Sequence, residues 1–119
     1  MAHPISLLIV DDSERMRRLI RRVLKSVSAE VWECCDGSQA FEAYRNHRPD
    51  CVLMDIEMKV VDGIAATSQI RAAFPDARIV IISNYDSDEL RAAAREAGAL
   101  AFCNKANLLS LRSLIRGSD

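Results

Sequence analysis

The sequence predicts an α/β fold: a doubly wound, open parallel sheet of five strands with helices on both faces. Three observations predict it. Short apolar runs alternate with helix-period segments along the whole chain. The runs at Ile5–Val10, Cys51–Met54 and Arg78–Ile82 are nearly continuous in apolar character, as strands buried on both faces are. With Val31–Cys35 and Leu100–Cys103 the runs number five, too few for a closed eight-stranded barrel.

Each helix has its own signals. After the first strand, Met16, Leu19, Ile20, Val23, Leu24 and Val27 make one apolar stripe, with Ser13 as the N-cap. The second helix starts at Asp36, with Gln39 at capping-box spacing, and turns Ala40, Phe41 and Tyr44 inward; Pro49 lies past its end. The third runs from about Gly63 to Phe74, with Ile64, Thr67, Ile70 and Phe74 inward, and Pro75 stops it. Asp86 and Glu89 give the fourth a capping box; it buries Leu90, Ala93, Ala94 and Ala97, and Gly98 supplies the C-terminal turn. The fifth, capped by Asn107, buries Leu108, Leu111, Leu114 and Ile115, which leaves Leu109 off the stripe and exposed. Strand, helix, strand in this order implies right-handed crossovers.

A chain of 119 residues fits one domain spanning 1–119 and needs no disulfide or structural metal to fold. Its net charge of −1 gives no excess that points to nucleic acid or an anionic lipid surface. The four cysteines lack zinc spacing and read as reduced thiols. No run is long enough to span a membrane and no signal peptide is evident, so the expected compartment is the cytoplasm.

In open α/β sheets, ligands sit at the carboxyl ends of the strands. Asp11 and Asp12 follow the first strand, Asp55 the third, Ser83 the fourth and Lys105 the fifth. Taken singly, each aspartate reads equally well as a cap, Ser83 as a turn residue, and Lys105 as a surface lysine. Their common rim changes the reading. Three clustered acids repel one another, and a divalent cation relieves that repulsion. Oxygen ligands without His or Cys favour magnesium. Magnesium beside an ammonium and a hydroxyl suits a phosphoryl group. The chain has no G-x-x-x-x-G-K-[ST] and only four glycines, so it has no glycine-rich phosphate cradle. The nucleophile must then belong to the site itself. Asp55, alone after its strand, is the candidate, with Asp11 and Asp12 as the metal pair.

The stretches LLIVDDS, CVLMDIEMKVVDG, IVIISN and GALAFCNK, in this order and spacing, make the chain resemble a response-regulator receiver domain of two-component signalling. The resemblance covers essentially the whole chain. It implies a flavodoxin-like sheet in the order 2-1-3-4-5. It implies Asp55 as acceptor of a phosphoryl group from a histidine kinase or phosphotransfer protein. Asp12 would bind magnesium directly, Asp11 through water, and Glu57 through its backbone carbonyl. Lys105 would pair with a phosphoryl oxygen, Ser83 would bond to the phosphoryl group, and Phe102 would be the aromatic that changes rotamer with Ser83. The output would be a protein partner or a homodimer formed through the fourth helix, fifth strand and fifth helix. Such a domain is not an enzyme beyond its own magnesium-dependent phosphorylation and dephosphorylation.

Two departures from the family pattern stand out, beside two variable positions. Lys59 replaces a common proline. Asn84 replaces a small residue and would shield the phosphoryl group from water. Glu57 and Tyr85 occupy variable positions that tune phosphoryl lifetime. Lys59 implies a looser turn after Asp55 and a further charge near the site, whereas Asn84, with Glu57 and Tyr85, implies slow self-dephosphorylation. Arg15, Arg17, Arg18, Arg21, Arg22 and Lys25 make the first helix either a solvated face or a dock for an acidic partner. One alternative is the N-terminal receiver of a longer DNA-binding transcriptional regulator. Two rivals are a magnesium-dependent aspartyl phosphatase, which would need a cap this chain has no room for, and a pseudo-receiver, against which the intact Asp12, Asp55, Ser83 and Lys105 argue.

Overall fold

A computed structural model describes residues 3–58 and 61–116. Five parallel strands, β1 (Ile5–Val10), β2 (Ser28–Cys34), β3 (Cys51–Asp55), β4 (Ile79–Ser83) and β5 (Ala101–Asn104), form one sheet in the order β2-β1-β3-β4-β5. The helices are α1 (Glu14–Leu24), α2 (Ala40–His47), α3 (Gly63–Ala73), α4 (Asp88–Glu96) and α5 (Leu111–Arg116).

Alternation along the strands divides the core. Leu7, Ile9, Leu53, Val80 and Ile82 pack with Ile20 and Leu24 of α1 and with Leu111 and Ile115 of α5. Leu8, Val10, Val52, Met54, Ile79 and Ile81 face the other way, onto Tyr44, Ala66, Ile70 and Ala94 of α2, α3 and α4. All of β3 and β4 is buried, which is why these strands read as unbroken apolar runs. Fully burying one such aliphatic side chain stabilises the fold by about 1.5–3 kcal/mol.

The predicted elements are all present, with local corrections. β2 starts three residues before the expected Val31, because Ser28 pairs with Ile5 across an irregularity in the β1 ladder. Asp36 caps a 3₁₀ turn, Gly37–Gln39, rather than α2 directly, and the Gln39 side chain accepts from the Cys35 N–H instead of closing a capping box. Ser87, not Asp86, caps α4, by accepting from Leu90 N. Only Ala94 of the expected α4 stripe is fully buried, while Leu90, Ala93 and Ala97 are half-buried. Ala66, rather than Ile64, joins Thr67 and Ile70 in the buried face of α3. Asn104 caps a 3₁₀ turn, Lys105–Ser110, and Asn107 marks the kink before α5 instead of capping it. Leu109 is 71% exposed, as its off-stripe position predicts. Gly98 has φ +100° at the end of α4, a backbone that other residues rarely adopt. Lys59 lies outside the described residues.

Candidate functional site

The strand order reverses direction after β1, and β3 lies on its other side. The crevice at the carboxyl ends of β1 and β3 is therefore the switch point of the sheet. Val10 pairs with Met54, so Asp11 and Asp55 leave the sheet side by side. Ile82 pairs with Asp55, and Ser83 pairs with Asn104, the residue before Lys105. Parallel register alone thus brings five of the sequence-predicted residues to one rim.

The geometry is close. One carboxylate oxygen from each of Asp11, Asp12 and Asp55 lies within 4.8 Å of the others. Lys105 Nζ sits 3.0 Å from Asp55 Oδ1 and 3.2 Å from Asp11 Oδ2. Asp55 is 2% exposed and Asp11 1%, whereas Asp12 faces solvent. The Ser83 side chain is buried and its Oγ accepts from Tyr85 N at 3.0 Å. Glu57 is exposed on the β3–α3 loop, where it and Asp12 border an open depression of about 780 Å³ with Ile56, Met58, Ile64 and Leu90. Phe102 is half-buried against the core layer under α2, α3 and α4.

Local structure fixes the acids. Asp11 Oδ1 accepts from Ser13 N at 2.9 Å, and Ser13 in turn caps α1. The Asp11 N–H donates to Cys34 O at 3.1 Å. Arg17 reaches back from α1 to donate to the Asp11 carbonyl at 2.6 Å while Glu33 holds its other edge. Sequence reasoning missed this role for Arg17. Its only trace was an arginine on the inward side of an otherwise solvated basic helix. Gly63 matters at α3: its N–H donates to Ile56 O, and an added Cβ would run into the Asp55 carbonyl. Asp36 accepts from both Ser38 N and Val61 N, so it also anchors the β3–α3 loop.

The electrostatics follow from crowding. Burial first, and the Asp11 charge second, push the Asp55 carboxyl up from 3.8 to about 6, against the pull of Lys105; Asp12 adds a smaller push. Burial alone would depress the Lys105 ammonium, but Asp55 and then Asp11 hold it above its ordinary value. Three carboxylates against one ammonium leave the rim short of positive charge. Asp11 Oδ2 and Asp55 Oδ1 are buried and share the single Lys105 ammonium between them. A set of hard oxygen donors with unmet charge fits a magnesium-like divalent cation.

The family model for the response regulator receiver domain matches residues 7–116. Chemotaxis protein CheY of Bacillus subtilis is 42% identical over 106 residues, 88% of this chain and 87% of that protein. CheY of Halobacterium salinarum is 39% identical over 98 residues, 82% of each chain. Response regulator MprA of a Mycobacterium species is 32% identical over 118 residues, and the matched part is 51% of its length. Among solved structures, a chain of the CheX-CheY-BeF3-Mg+2 complex from Borrelia burgdorferi superposes with a TM-score of 0.88 at 28% identity, covering 98% of this chain and 92% of that one. A LuxR-family two-component response regulator from Aurantimonas gives a TM-score of 0.87 at 30% identity, covering 96% and 86%.

Proposed function

The chain belongs to the response regulator receiver domain family, and from that premise we propose that Asp55 accepts a phosphoryl group from the histidine of a histidine kinase or phosphotransfer protein. Receiver domains are signalling domains rather than classical enzymes, and residues 1–119 form one such domain in this reading. The single observation that carries it is Lys105 seated between Asp11 and Asp55 at the switch point, 3.2 and 3.0 Å away.

Each residue has a task. An Asp55 carboxylate oxygen forms a bond to phosphorus, and the phosphorus–nitrogen bond breaks with its electron pair returning to the donor imidazole. Lys105 then trades a carboxylate partner for a phosphoryl oxygen. Ser83 donates its hydroxyl proton to another phosphoryl oxygen, and Phe102 follows Ser83. Asp11, Asp12, Asp55 and the Glu57 backbone carbonyl would hold magnesium, which when bound neutralises phosphoryl charge and quiets the acid cluster. The phosphoryl group binds one of two pre-existing conformations better and shifts the balance between them.

Two surfaces serve this cycle. Arg15, Arg18 and Arg22 on α1 and Lys25 at its C-cap are exposed, and Leu19 is 39% exposed among them, which suits docking of an acidic phosphodonor bundle. Leu100, just before β5, and Leu109, in the turn before α5, are 52% and 71% exposed, which suits a protein partner or homodimer meeting the α4–β5–α5 face. No helix among the described residues is long and apolar enough to cross a membrane. Free cysteines at 34, 35, 51 and 103 suit the cytoplasm. The chain spans 82% and 87% of the two CheY relatives and about half of MprA, so relatives of matching length exist both for a single-domain receiver and for the alternative of a receiver within a longer DNA-binding transcriptional regulator.

The test is intact mass after incubation with acetyl phosphate and magnesium. Wild type gains one phosphoryl group and Asp55→Asn gains none. Equal labelling of both would overturn the assignment of Asp55.

A further inference from the structure

A second polar cluster, centred on Asp86 and Arg91, lies beside the acid rim and is joined to it through Ser83 and Phe102. Asp86 grips Arg91 with both oxygens, Nε to Oδ1 at 2.7 Å and Nη2 to Oδ2 at 2.8 Å. The guanidinium carbon lies 4.7 Å from the centroid of the Phe102 ring. Asn104 Nδ2 approaches Asp86 Oδ2 at 3.5 Å, and Asn104 sits opposite Ser83 in the sheet and directly before Lys105. Ser83 Oγ is itself tied to Tyr85 N, the residue before Asp86.

These contacts make one connected path. It runs from Ser83 through Tyr85 and Asp86 to Arg91, and ends on the Phe102 ring. A lone exposed ion pair contributes little. This one is bidentate and rests on an aromatic face, two features that sharpen its geometry. The Arg91 guanidinium holds the Asp86 carboxyl below the usual carboxylate range, consistent with a formed pair.

We propose that Asp86 and Arg91 are positioning residues for phosphoryl acceptance: they clasp the β4–α4 loop and Phe102 in the resting arrangement, and Ser83 moves toward the phosphoryl group only as that clasp yields. This rests on the reading of Asp55 as acceptor. The loop between Ser83 and α4 is short, so a displaced Ser83 drags Asp86 against two charged bonds. The clasp therefore lowers the fraction of molecules ready to bind a phosphoryl group, and it weakens apparent affinity by that fraction.

The test titrates the full chain with beryllofluoride, a tetrahedral phosphoryl mimic, in excess magnesium. Binding is followed by the thermal midpoint and by amide exchange in the β4–α4 loop. Arg91→Met and Asp86→Asn should each bind the mimic up to about fivefold more tightly than wild type. The double variant should gain no more than either single one, because both substitutions open the same pair. Arg91→Lys should fall between, since lysine cannot grip both oxygens. Magnesium affinity without the mimic should stay at the wild-type value, a result that general loosening would not give. Variants with wild-type affinity, or weaker affinity that tracks lost urea stability, would overturn the positioning role and leave Asp55 as acceptor untouched. A wild type that binds magnesium and never the mimic removes both.

Discussion

Replacing Asp55 by asparagine should stabilise the metal-free protein near neutral pH. The substitution keeps the shape and removes one of three crowded charges. Its magnitude follows from the raised carboxyl, 3.8 in the unfolded chain against about 6 in the fold. Between those values the folded protein binds a proton that the unfolded chain has released. Stability therefore falls as pH rises through that window, and the full cost is present above it. At about 1.4 kcal/mol per pH unit, the upper bound is about 3 kcal/mol. Solvent reaches the rim, and Lys105 loses one of its two partners, so the expected net gain is about 1–2 kcal/mol. The assay is urea unfolding followed by circular dichroism in EDTA, from about pH 4 to about pH 8. The gap between variant and wild type should be small at the acid end and open as pH rises. Magnesium should then raise the wild-type midpoint and do much less for the variant. A variant less stable than wild type by about 1 kcal/mol or more near neutral pH, or a gap indifferent to pH, would refute the crowding of the acids.

Other perturbations test separate parts of the account. Lys105→Met should destabilise the metal-free fold by about 1–3 kcal/mol near neutral pH, with magnesium recovering part of the loss, because the acids keep their charge without their cation; calorimetry with and without the metal measures it. Gly63→Ala should cost about 1–3 kcal/mol in urea unfolding, since its Cβ would press the start of α3 away from the Asp55 carbonyl. Asn84→Ala should shorten the lifetime of the acetyl-phosphate-labelled protein, read as loss of phosphoryl mass with time. An unchanged or longer lifetime would remove the shielding role of this exposed residue at the end of β4.

How legible each part was depended on whether the signal was local. Strands β1, β3 and β4 announced themselves because both their faces are buried, so nearly every residue is apolar. The edge strand β2 did so less well. Its opening residues, Ser28 to Glu30, carry no apolar pattern and are strand only because β1 lies beside them. Helix starts were blurred where several capping side chains stand close together: Ser87 won over Asp86, and Asn104 over Asn107. A spacing rule cannot choose between neighbours whose contest is settled by the path of the chain. The rim was readable because parallel strands all end on one side, so the residue that closes or follows each strand is placed by topology alone. The roles of Arg17, Asp86 and Arg91 were hidden, since each depends on a side chain crossing from one element to another.

The two acids at the switch point stand 44 positions apart along the chain, and their lysine lies another 50 beyond. No fragment emerging from the ribosome before the last strand has docked can present the complete set. The complete rim thus arrives only when the fifth strand docks, and a copy still lacking that strand carries the acids without their cation.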